Sequence, residues 1–207
     1  MIESALSPAF LDKAESLVTE LESQSSVEIV VAVARSSGNY RDAQLWLALI
    51  ITWVTLAVVI LVPQDIPDLF LPPITAVAFL LGYWLAHRPP FKYLLVGGQR
   101  RRRQVSDAAA LTFHKEHVSA TAERTGILIY LSEEERDLEF LTDYAVDRVL
   151  PQATWNNLRQ AILADPGQWT EKLITEMRKI QPLLNDKLPR RSDDKDELPN
   201  RPRLVRS

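Results

Sequence analysis

The sequence contains no cysteine. Disulfides, thiolate metal sites and cysteine nucleophiles are thereby excluded. Glycine is scarce, six among 207 residues, and no glycine-rich phosphate loop can be drawn from it. No HExxH run and no Ser/His/Asp arrangement occurs either. An excess of basic charge is missing: the net charge is -3, so bulk charge gives no reason to expect a nucleic-acid partner. The opening residues, MIESALSPAF, lack a basic start and a long apolar run, and no cleavable signal peptide is expected.

Long uncharged runs, by contrast, are present. Ala43 to Val62 spans twenty residues without a charge, and Leu69 to Ala86 spans eighteen more. A helix crossing about 30 Å of hydrocarbon needs about 20 apolar residues, each adding about 1.5 Å. The stretch between them, Pro63 to Asp68, is a turn by composition. Trp46, Tyr83 and Trp84 lie near segment ends, where amphipathic rings favour the interface. Pro72 and Pro73 fall in the first turn of the second run, where a helix tolerates proline. The expectation is a transmembrane helical hairpin over 43–86. A buried hairpin in a soluble protein, or one span with a re-entrant helix, are the alternatives.

Lysine and arginine set the orientation. The turn carries Asp65 and Asp68 and no base. Arg35 and Arg41 precede the first run, and Arg88, Lys92, Arg100, Arg101, Arg102 and Arg103 follow the second. The positive-inside rule then places both termini and the soluble domain in the cytoplasm, with two spans in the cell (inner) membrane. The Arg100–Arg103 run is also a candidate contact for anionic lipid headgroups, at about 1 kcal/mol per charge near the surface; the plainer alternative is a topology signal only.

The flanks read as one interrupted α/β domain. In 1–42, Ser7 and Pro8 open a helix with Phe10, Ala14, Leu17, Val18 and Leu21 at helical spacing, and VEIVVAVA at Val27–Ala34 suits a buried strand. In 87–185, a helix is expected from about Arg101 to Ser119, then a strand from Gly126, a polar turn at Ser132–Glu135 and a third strand over Arg136–Asp143. The short turn implies that these two strands pair antiparallel. Further helices are expected at Ala145–Leu150, at Trp155–Leu163 and from about Gly167. Residues 186–207 are polar and expected to be disordered.

The stretch Thr112–Trp155 resembles the TPM domain family. The features that carry the likeness are Phe113 in a helix, Thr121 with Gly126 as a Thr-x-x-x-x-Gly step, the strand Ile127–Ser132, a strand ending at Asp143, and Trp155. AESLVTELESQSSVEIVVAV is similar to the family's opening helix and first strand, with Glu28 at an acidic position. The resemblance implies a small TPM-like α/β/α sandwich. It also implies kinship with proteins described as acid phosphatases or as calcium binders. The family often has glycine after the aspartate, whereas here the run is Asp143-Tyr144-Ala145-Val146.

Asp143 is the best single candidate for chemistry, since it ends a strand. With Asp147 four residues on, it could hold a hard divalent cation such as calcium through oxygens; a helix cap at Asp143 with a solvated Asp147 is the plainer alternative. Glu123, Arg124 and Arg136 flank the second strand and could contact a phosphate or a partner, or simply pair on the surface. His114 and His117, with Glu116 between them, have zinc-ligand types but no third ligand at a recognisable spacing. The reading that follows is an integral membrane protein whose TPM-like domain binds a partner, such as another membrane protein, or maintains a membrane complex. The alternative is a membrane-anchored, metal-assisted phosphatase.

Overall fold

The strand expected in VEIVVAVA forms as β1, Glu28–Ala34, and every residue in it is buried. β-branched residues on both faces suit a strand covered on two sides. The structure is a computed structural model and describes residues 4–61, 67–88, 91, 93–165, 167–191 and 197–205. β1 pairs in parallel with β2, Gly126–Ser132, in the register Glu28↔Gly126 through Ala34↔Ser132. β2 pairs antiparallel with β3, Asp137–Thr142, as the short turn requires.

Both faces of this sheet are covered. Helix α1, Pro8–Glu22, starts at an N-cap where the Ser7 hydroxyl accepts the Phe10 N–H. Its stripe Phe10, Ala14, Leu17, Val18 and Leu21 joins Ile29, Val31, Val33, Ile127, Ile129 and Leu131 in the larger core. On the same side lie α6, Gln152–Leu163, and α7, Trp169–Lys187, which contribute Trp155, Leu158, Ile162, Trp169, Leu173 and Met177. The opposite face, with Val30, Ala32, Leu128 and Tyr130, packs against Val105, Ala109 and Phe113 of α4, Gly98–Lys115. The short α5, Tyr144–Val149, follows β3. The result is the α/β/α sandwich expected from the sequence.

The polar tail departs from its expected disorder. Helix α7 runs on to Lys187, Ser25 bridges Pro189, and Arg203–Val205 forms β4, parallel to β1. The sheet order is β3-β2-β1-β4. Leu198 and Val205 pack against the Val30–Ala32–Ala34 cluster, and this burial offsets the ordering of an otherwise polar segment.

The chain divides into two units, one of residues 1–38 with 102–207 and the other of 39–101. The second holds α2, Arg41–Leu61, and α3, Leu71–Ala86, which pack along each other. Ala78, Gly82 and Ala86 recur every fourth residue of α3 and are buried, as is Ala48 on α2. Small residues at this spacing let two helix backbones approach closely. Most of the expected turn between the runs lies outside the described residues, as does Lys92.

Helix α2, at 21 residues, is long and apolar enough to cross a membrane, and most of it is not buried. The core helix of a soluble protein passes the same test of length but is mostly buried. Here Trp53 is 68% exposed and Leu61 is 80% exposed. The α3 helix is apolar but shorter, at 16 residues.

Candidate functional site

The loop before β2 and the end of β3 bring two of the expected residues together. Arg124 adopts a left-handed backbone, with φ 57°, uncommon for a residue with a side chain. Its carbonyl accepts the Ala145 N–H, and the Asp143 N–H donates to the Gly126 carbonyl. These bonds hold the two residues side by side. The Arg124 guanidinium then donates from Nε to both Asp143 oxygens, at 3.2 and 3.3 Å, and from Nη2 to Oδ1 at 2.9 Å. The Asp143 side chain is 4% exposed and that of Arg124 is 59% exposed.

Asp143 has a second task. It is the N-cap of α5, with Oδ1 accepting the Tyr144 N–H at 2.7 Å. A carboxylate there also meets the positive end of the helix dipole. Asp147 turns to a different partner, the Thr142 hydroxyl, which donates to its Oδ1. Both carboxylates are thus engaged by the protein's own donors. Among the described residues no cluster of three or more His, Asp or Glu side chains is suited to a metal ion.

The other expected residues lie apart. Glu123 pairs with Arg191 at 2.8 Å, on the surface. Arg136, also left-handed with φ 49°, sits in the β2–β3 turn at the far end of β2 from Arg124. A seven-residue strand, about 23 Å, separates the two arginines, so they line no common phosphate cleft. Glu116 pairs with Arg203 at 3.4 Å, and His117 terminates α4 with a left-handed φ of 56°.

The arginine run is divided in its duties. Arg100 makes two bonds to Asp42, at 2.7 and 2.8 Å, and lies over the Tyr40 ring at 5.9 Å. Arg101 lies 5.4 Å from the centre of the Tyr93 ring, which itself packs edge-on against Tyr40. Arg102 faces Glu139 electrostatically. Arg103 makes no ion pair or ring contact among the described residues and is exposed. The four thus differ in their surroundings.

At the opposite end of the parallel strands lies a cluster that sequence reasoning missed. The turn Glu133-Glu134-Glu135 reaches three ways. Glu133 accepts the Ala5 N–H at 2.8 Å, Glu134 faces Arg35 at 3.7 Å, and Glu135 is buried. Glu135 accepts from the Ser36 hydroxyl at 2.9 Å, from the Ser37 N–H at 3.1 Å and from the Ser132 hydroxyl. Ser37 donates to Ser132 at 2.6 Å and lies 3.0 Å from the Tyr130 hydroxyl. Each serine has one proton, so the order is determined: Tyr130 donates to Ser37, Ser37 to Ser132, and Ser132 to Glu135. Burial pushes the Tyr130 phenol up, the Ser37 bond opposes this, and the Glu135 charge adds to it. The chain of hydroxyls ties the exit of β1 to the β2–β3 turn. Its sequence signal was a serine pair after one strand and an acidic run after another, with Ser36 and Glu135 standing 99 positions apart.

A third polar group supports the free edge of β3. Arg159 of α6 donates from Nε to the Leu138 carbonyl at 2.7 Å and pairs with Asp137, with Glu139 at 3.9 Å. Burial raises the Glu139 carboxyl above its ordinary range, while Arg159 and then Arg102 pull it back.

Comparison with known proteins adds two findings. Residues 97–166 match the model of the TPM domain family. The fold is similar to the NMR structure of the BA42 protein from the psychrophilic bacterium Bizionia argentinensis sp. nov., with a TM-score of 0.58 over 99% of both chains. Identity to that chain is 18%, which speaks for the fold alone. No curated protein matches the chain.

Proposed function

We propose that this protein is a membrane-anchored TPM-like domain that works as a binding or complex-maintenance module, without hydrolytic chemistry. The observation that carries this reading is the apolar helix pair that follows β1 in the sequence and precedes the other strands. Its outward side chains, Trp46, Leu49, Trp53, Val58, Leu80 and Trp84 among them, are exposed. A monomeric soluble protein rarely leaves an apolar patch of such extent uncovered.

Both helices serve as spans in this reading. The α3 helix supplies about 24 Å, and the 3-10 turn Asp68–Phe70 before it adds about 6 Å, close to the hydrocarbon thickness. Towards that turn the pair opens an apolar groove lined by Ile51, Phe70, Ile74 and Leu81, which suits acyl chains. Arg88 over Trp84 at 4.6 Å, with the Arg100 and Arg101 ring contacts, forms a cationic and aromatic border of the kind found at headgroup level. Arg103, exposed and without an ion pair among the described residues, is the member of the run proposed to meet an anionic lipid. The basic side is cytoplasmic.

The competing phosphatase reading needs Asp143 free to act. Its engagement by Arg124 and by the α5 N-terminus supports a structural role instead. The purified protein in detergent, offered a generic phosphomonoester with and without calcium or magnesium, is expected to show no turnover. Turnover that Asp143→Asn abolishes would overturn the non-catalytic reading. A reporter active only outside the cytoplasm, fused after Ser207, is expected to stay silent.

A further inference from the structure

Strand β1 is covered unequally along its two edges. β2 pairs with it over all seven residues, Glu28 to Ala34. On the other edge β4 covers only the last three, Ala32, Val33 and Ala34. Where β4 is missing, a side chain replaces it. The buried Glu28 carboxylate accepts the Glu197 N–H at 3.2 Å and the Leu198 N–H at 3.1 Å through one oxygen.

The segment 197–205 therefore lies on the β1 edge at a few points. Leu198 and Val205 pack against the apolar cluster to which Val30, Ala32 and Ala34 of β1 belong, and Pro202, between them in sequence, is buried. The other attachments are polar and at the surface. The Ala122 N–H donates to the Glu197 carboxylate at 3.0 Å, Asn200 donates to the Thr19 hydroxyl at 3.2 Å, and Arg203 pairs with Glu116 at 3.4 Å. Exposed pairs of this kind contribute little. Leu204 is exposed outright.

Few apolar anchors, captured backbone N–H groups and added strand pairing are the features by which sheets bind extended peptides. They differ from those of β2, which is buried throughout. From this we infer that the β1 edge is a peptide-binding groove, filled here by the chain's own residues 197–205. The partner it fits is an extended segment of another protein running parallel to β1. That segment carries an apolar residue at the Leu198 position, a proline at the Pro202 position, a basic residue at the Arg203 position and an apolar residue at the Val205 position. Glu28 receives its first N–H groups and Glu116 receives its basic side chain. The inference rests on the binding-module reading and names that partner's chemistry. The tethered tail acts as a competitor at an effective concentration on the order of millimolar, so a partner gains access only when it is itself held nearby.

The test keeps the full chain. Residues 192–196 are replaced by a site-specific protease sequence, and the folded protein is cleaved in detergent. The tail fragment is expected to leave on dilution while the far-UV circular dichroism of the remainder is unchanged. The depleted protein is then expected to take up a fluorescent peptide of residues 197–205 saturably, and Glu28→Ala to weaken uptake at least about tenfold, as loss of bonds to a charged acceptor implies. Because the chain lacks cysteine, Ala34→Cys with Val205→Cys gives a single cross-link between register partners. Its oxidised form should retain the fragment and refuse the peptide. Unfolding on loss of the fragment would overturn the inference, since the tail would then be an integral strand. So would equal uptake of a scrambled peptide, no uptake, or exchange only with the tail of a second copy. None of these readouts depends on membrane insertion, so their failure is distinct from failure of the anchor.

Discussion

Gly82 of α3 lies directly against Ala48 of α2: a Cβ added at Gly82 would stand 3.1 Å from the Ala48 Cα and 3.2 Å from the Ile51 Cβ. The hairpin is thus closed by backbone proximity. Gly82→Ala asks the neighbours to yield by a few tenths of an ångström and should lower the melting temperature in detergent only slightly. Gly82→Leu should cost about 1–3 kcal/mol as overpacking, at about 2–4 °C per kcal/mol for a chain of this size. Equal melting of the two variants would mean the helices do not meet at this point.

Gly126 faces a harder constraint. A Cβ there would lie 2.1 Å from the Val118 carbonyl oxygen, a backbone atom that cannot swing aside. Gly126→Ala should therefore destabilise more than Gly82→Ala, by at least about 2 kcal/mol. Urea unfolding followed by circular dichroism measures the difference. A neutral Gly126→Ala would show that the 3-10 turn Val118–Ala120 does not pack on the start of β2.

The same two glycines show what the sequence could reveal. Gly126 was legible as a strand opening, because it precedes an unbroken apolar run. The hairpin was legible as two charge-free runs, and α1 as a stripe at helical spacing. The tail strand was not. Its three apolar anchors, Leu198, Pro202 and Val205, have no strand period, and their burial depends on Glu28, which stands 169 positions before Glu197. Glu135 was hidden for a similar reason. Its charge is satisfied by serines on either side of an inserted apolar hairpin, so the acidic run read as an ordinary solvated turn. Asp143, expected as the last residue of a strand, lies one position past β3 and caps the next helix, and its pairing with Arg124 depends on a left-handed backbone at an arginine, which no residue pattern announces.

Asp143 should behave as a cap. Asn is a good N-cap residue and Ala is a poor one. Asp143→Asn should lose only the ion pair, and with Arg124 largely exposed that loss should be smaller than the loss of the cap. Asp143→Ala should cost about 1–2 kcal/mol, the usual penalty for a lost cap. Chemical denaturation of the two variants compares them directly. A larger loss for Asn than for Ala would contradict the capping role.

Glu139 gives a pH dependence with a definite sign. Burial holds its folded-state pKa above the ordinary carboxyl value, against the pull of Arg159 and Arg102. Between those two values the folded chain keeps a proton that the unfolded chain has lost, so this group's contribution to stability is full below the ordinary value and falls as pH rises through the folded one. Glu139→Gln should flatten that decline and leave the variant relatively more stable on the alkaline side. Parallel stability curves for the two proteins across mildly acidic pH would show that burial does not perturb this carboxyl.

The anchor is tested most directly by extraction. Membranes from cells expressing the protein are washed in alkaline carbonate, which strips peripheral proteins, and then treated with detergent. The protein should remain in the carbonate pellet and be released only by detergent, since both helices carry exposed large apolar side chains such as Trp53 and Leu80. Recovery in the carbonate supernatant would contradict a membrane-spanning hairpin.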